Sequence, residues 1–100
     1  MGRLIPFGHE SVTIDNTAGG VGLTAATYAP STKDMAKEAF LTLETAQIRW
    51  TIDGTAPTIT VGHLLEIGQT LTLKDQIEIV KFKGIRTGGA SGTLKITYLR

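Results

Sequence analysis

The chain has 100 residues, with 10 Lys+Arg against 9 Asp+Glu, an apolar fraction of 41%, 12 Gly and no Cys. That length supports one hydrophobic core, and the absence of Cys removes disulfides, thiolate zinc sites and a cysteine nucleophile. A net charge of +1 supplies no basic field for nucleic acid or anionic lipid, and no apolar run approaches the roughly 20 residues of a membrane helix.

The first residues, Met1-Gly2-Arg3-Leu4-Ile5-Pro6, carry no long apolar segment and no cleavage signature, so a signal peptide is not expected. Residues 1–9 read as an N-terminal arm and 10–100 as a β-sandwich domain. Leu4, Ile5 and Phe7 are apolar where free termini are usually polar and frayed. They are candidate contact residues for a neighbouring subunit, or the start of an edge strand of the chain's own sandwich.

Val12 and Ile14 alternate with Ser11, Thr13 and Asp15, the period-two pattern of a half-buried strand. A turn cluster, Asp15 to Gly20, follows. Gly22 to Tyr28, rich in Thr and Ala, reads as a weaker strand. Ser31-Thr32-Lys33-Asp34 fits a capping-box pattern, but Asp34 and Glu38 are like charges at i, i+4 and ten residues is short for an unsupported helix. Residues 31–40 therefore read as a polar loop with at most one helical turn. Lys33 and Lys37 are its candidate contact cations, against the plainer reading of a solvated connector.

Leu41 and Leu43 alternate with Thr42 and Glu44; Ile48, Trp50 and Ile52 alternate with Arg49, Thr51 and Asp53. Trp50 thereby reads as core. Asp53-Gly54-Thr55-Ala56-Pro57 reads as a tight turn. Leu71 and Leu73 alternate with Thr70, Thr72 and Lys74. In the next strand Ile77 and Ile79 share one face, and then Val80 and Phe82 take over. A slip of one residue moves every later side chain to the other face, so a β-bulge is predicted near Ile79-Val80, or else a strand covered on both sides. Gly88 to Gly92 reads as a flexible hairpin loop. Leu94, Ile96 and Tyr98 alternate with Thr93, Lys95 and Thr97 to close the chain.

Short alternating segments between Gly- and Asp-containing turns, with no helical period, predict an all-β fold: a single antiparallel β-sandwich or jelly-roll-like barrel of about six to eight strands with little or no helix.

No motif for chemistry emerges. His9 and His63 lack metal-ligand spacing, and Ser11, Ser31 and Ser91 lack a nucleophile-elbow setting. No catalytic residue, cofactor or metal site is expected. His63 and Glu66 are the sole candidates for proton transfer. Phe7 and Tyr28 are the aromatics expected to be exposed, while Phe40, Trp50, Phe82 and Tyr98 fall in patterns that bury them.

The stretch Thr45 to Thr58 (Thr-Ala-Gln-Ile-Arg-Trp-Thr-Ile-Asp-Gly-Thr-Ala-Pro-Thr), then Val61 to Leu65, Gly68 to Leu73, and the close from Ile85 to Gly88 and Leu94 to Tyr98, resembles small virion proteins of tailed bacteriophages. The resemblance covers roughly residues 39–98. It implies a non-enzymatic structural component of the virion, above all a capsid decoration (cement) protein, assembled in the host cytoplasm. Such proteins commonly sit on the shell as homo-oligomers, often trimers, and clamp the major capsid protein or other virion proteins. The near-zero net charge, independently of the resemblance, leads us to expect no nucleic-acid or membrane partner. The alternative is a tail, fibre or neck module that binds host glycan, for example around Tyr28 and the 53–58 turn.

Overall fold

The structure is a computed structural model that describes residues 4–31 and 35–100. Among these, seven strands form two antiparallel sheets packed face to face, as predicted for a β-sandwich. The strands are β1 (Pro6–Ile14), β2 (Glu38–Glu44), β3 (Ile48–Thr51), β4 (His63–Leu65), β5 (Thr70–Leu73), β6 (Lys83–Arg86) and β7 (Gly92–Leu99). Two short helices, α1 (Ala25–Tyr28) and α2 (Gln76–Lys81), complete the fold.

The larger sheet has the order β1-β7-β2-β5 and the smaller β4-β3-β6. Period two decides its inner face. Val12 and Ile14, Ala39, Leu41 and Leu43, Leu73, and Leu94, Ile96 and Tyr98 all point inward and are buried. Their neighbours in sequence are largely Thr, Ser and Lys, which a solvated sheet face requires. Ile48 and Leu65 close the core from the smaller sheet, with Trp50 packed partly against them.

On the opposite face of the smaller sheet, residues 52–62 fold back over the strands. Arg49 Nε donates to the Ile59 carbonyl at 2.9 Å and its Nη1 to that of Gly62 at 2.8 Å. Thr51 Oγ1 donates to the Thr55 carbonyl at 2.6 Å, which explains why a threonine is buried there.

Three expectations are corrected. The weak strand at Gly22 to Tyr28 is not formed: Val21 makes a single bridge to Gly84, and Ala25–Tyr28 is one helical turn. The bulge near Ile79-Val80 is absent, because Gln76–Lys81 is α2. Its phase break is a helical period in which Ile79 and Phe82, three apart, share the core. Asp75 is the N-cap, accepting from the Glu78 N–H at 2.8 Å, and Glu78 Oε1 accepts from the Lys74 N–H at 2.9 Å. These two carboxylates satisfy amides at the helix start, a near-relative of the capping box.

The loop from Gly88 to Gly92 is no hairpin either, since β6 and β7 belong to different sheets. Gly92 is buried at that crossing. A Cβ there would lie 2.7 Å from Ile48 Cγ2 and 2.8 Å from the Ala46 carbonyl oxygen, so glycine is required for the close approach.

Of the segment 31–40, Thr32, Lys33 and Asp34 lie outside the described residues; β2 begins at Glu38, so strand replaces any helix in its second half.

Candidate binding surface

The larger sheet ends in a row of four strand termini. At β1, Ile5 and Arg100 exchange backbone hydrogen bonds of 2.8 and 3.0 Å, extending the pairing one step beyond Pro6↔Leu99. Residues 6–9 of the predicted arm thus run in β1. Next to them the Lys37 N–H donates to the Leu99 carbonyl at 2.8 Å, and Ala39 pairs with Leu73 at the end of β5. Antiparallel pairing therefore gathers Leu4 and Ile5, Arg100, Lys37 and Lys74 at one end of the sandwich.

Leu4 and Ile5 are exposed. Phe7 is half-buried: it packs against the core, and the Arg100 guanidinium sits 4.6 Å from its ring centre. That is a cation–π contact, and it holds the last residue of the chain over the first strand. Lys37 is exposed beside α2. The candidate Lys33 lies outside the described residues.

The helix supplies what sequence reasoning missed. It turns Ile79 inward, which leaves Ile77 and Val80 on its outer side, 65% and 49% exposed. A shallow groove of about 430 Å³ runs between Lys37, Lys74, Asp75, Gln76 and Ile77. A second of about 250 Å³ continues it past Met35 and Val80 to Lys81. Lys37, Lys74 and Lys81 border the apolar strip together with the carboxylates of Asp75 and Glu78, which accept from backbone amides and keep their negative charge. A helical reading of residues 75–82, with Asp75 as cap and Glu78 three later, would have exposed this face from the sequence.

The remaining candidates are not brought together. His9 stands on the outer face of β1, and the His63 ring rests on Trp50 with centres 4.9 Å apart. Glu66 Oε2 accepts from Gln47 Nε2 at 2.7 Å, so its carboxylate is engaged away from His63. Among the described residues no group of three or more His, Cys, Asp or Glu is placed to hold a metal ion.

Aromatic exposure differs from expectation at Phe7, which is half-buried rather than exposed, at Trp50, which is only partly buried, and most at Tyr28 and Phe40. Tyr28 is buried, edge-on to Tyr98 with ring centres 6.1 Å apart, whereas Phe40 is 43% exposed because Ala39 and Leu41 take the inward positions of β2. Burying Tyr28 withdraws the stacking platform that a glycan site there would use. Phe82 is buried as predicted but at the C-cap of α2 rather than in a strand.

Carboxylates elsewhere do structural work. The Thr17 hydroxyl and N–H donate to Asp15 and hold its carboxyl below the usual range. The Thr55 N–H does the same for Asp53 in the tight turn, where Gly54 has φ 93°. The Tyr98 hydroxyl donates to Glu10, which also accepts from the Thr24 N–H at 3.2 Å. Burial, then the Glu10 carboxylate, push that phenol well above its ordinary value.

No family model, curated protein or solved structure matches this chain.

Proposed function

We propose that the protein is a non-enzymatic structural component of a bacteriophage virion that binds assembled capsid subunits. The observation that carries this reading is the end of the larger sheet, where exposed Ile77 and Val80 lie among Lys37, Lys74 and Lys81, and exposed Leu4 and Ile5 stand at the β1 edge of the same end. Apolar side chains grouped with cations at one end, on a frame whose own core is complete, suit a protein contact. The resemblance of residues 39–98 to small virion proteins supplies the kind of partner.

Its action requires binding alone. A ligand that engages only the assembled shell stabilises that shell by mass action, in proportion to RT ln(1 + [L]/Kd). The rigid sandwich sets the contact residues in place beforehand, which reduces the ordering cost of association.

The test is location and number. Quantitative mass spectrometry of purified particles is expected to find the chain at a copy number comparable with that of the major capsid protein. A handful of copies moves the role to the neck or tail, and absence from particles overturns the reading.

A further inference from the structure

The longest strand of the larger sheet also forms its edge. β1 pairs with β7 on one side only. Antiparallel ladders alternate between residues that exchange both hydrogen bonds and residues that exchange none. The Ile5–Arg100 exchange sets the phase, and the bond from Lys37 to Leu99 confirms that odd-numbered residues of β7 turn toward β2. Glu10, Val12 and Ile14 therefore bond inward to Ile96, Leu94 and Gly92, and His9, Ser11 and Thr13 aim their N–H and C=O groups outward.

Among the described residues nothing pairs with those outward groups. The neighbouring edge of the smaller sheet is treated differently: Val21 bridges to Gly84 in both directions, at 2.7 and 2.9 Å. Proteins usually protect an edge with Lys, Pro or a bulge. β1 has Pro6 and an irregular register at Phe7, both at its start, and neither Lys nor Pro of its own from Gly8 to Ile14; among the described residues the cation beside this stretch is Lys95 of β7, whose Nζ donates to Ser11 Oγ at 2.9 Å.

We infer that this edge takes β1 of a second copy, antiparallel about a twofold axis through Ser11. In that register Ser11 faces Ser11 of the second copy, and His9 faces its Thr13. Every outward N–H and C=O of the three residues gains a partner. Glu10 then lies opposite Val12, and the like charges nearest the axis are the two Lys95 ammonium groups, each 2.9 Å from its own Ser11 Oγ. Shifting the register by two residues in either direction leaves outward groups unpaired. The product is one continuous sheet through both molecules, and it leaves the Lys37–α2 end of each copy exposed. The contact is one strand wide, small beside the ~800 Å² per partner of a standard interface, so association depends on concentration.

Light scattering over a dilution series tests this, together with amide exchange at His9, Ser11 and Thr13. The mass is expected to rise toward twice that of the monomer, with exchange at those three amides slowing in parallel. Ser11→Pro is expected to abolish association while keeping the circular-dichroism spectrum, since the Ser11 N–H makes no ladder bond. Should that variant not fold, Ser11→Lys places an edge lysine at the same point with the same expectation. A mass that stays monomeric at every concentration overturns the inference. So does an association, dimeric or trimeric, that the folded Ser11 variants leave intact.

Discussion

β7 and α2 are both rich in branched apolar residues, and they bury them by different rules. β7 lies between β1 and β2, and all of Gly92, Leu94, Ile96 and Tyr98 are buried while the residues between them are only partly so. α2 touches the sandwich along one side: Ile79 is buried, and Ile77 and Val80 stay in solvent. A residue held by strands on both sides serves the core. A residue on a short helix laid across the sheet end is available for a partner. The difference separates what stabilises this molecule from what it presents.

The sharpest way to break that separation is to truncate each side. Ile96→Ala removes a fully buried side chain from the central strand and is expected to cost ~2–5 kcal/mol in urea unfolding. Loss below 1 kcal/mol would mean that β7 is not the centre of the core. Tyr98→Phe takes the hydroxyl from the Glu10 carboxylate and is expected to cost about 1.5–3 kcal/mol, since bonds to charged groups are the stronger ones. Asp75→Ala removes the N-cap of α2 and should cost about 1 kcal/mol. Ile77→Ser falls at the other extreme, within roughly 0.5 kcal/mol, because its side chain is already in water.

The smallest effect concerns pH. Asp15 and Asp53 are held below the ordinary carboxyl value of 3.8, Asp15 by the Thr17 hydroxyl and N–H, Asp53 by the Thr55 N–H. Their stabilisation is present above that value and is lost as pH falls through their lowered values in the folded chain. Unfolding midpoints are therefore expected to drop on acidification from about pH 5 toward about pH 3, and the drop should shrink in the variant carrying Asp15→Asn and Asp53→Asn. An unchanged drop would assign acid sensitivity to other groups.

The same contrast explains how much could be read beforehand. Val12 and Ile14, Leu41 and Leu43, Leu94 to Tyr98 lie in strands solvated on one face, so alternation shows directly in the sequence. The segment from Asp75 to Phe82 is too short for a helical period to stand out, and its apolar residues imitate a slipped strand. The cap, not the periodicity, distinguishes the two. Thr51 escaped notice because its cover is a loop folded back from the same chain. Phe40 escaped because a bulky aromatic can occupy the solvent face. The apolar character of Leu4 and Ile5 and the charge of Lys37 were legible individually. Their convergence was not, because it depends on β7 inserting between β1 and β2, a long-range pairing that no local pattern encodes. Deleting residues 2–8 to probe the terminus would also remove the start of β1, so point substitution is the cleaner instrument.

The central claim is that one end of the sandwich is a binding surface distinct from the core. Sedimentation binding of the wild-type chain and of the variant carrying Ile5→Ser and Ile77→Ser, to assembled phage heads lacking the chain, tests it most directly. The account predicts that the wild type binds and that the variant, with an unchanged unfolding midpoint, loses about tenfold or more in affinity, equivalent to about 1.4 kcal/mol. Equal binding by both proteins would contradict it.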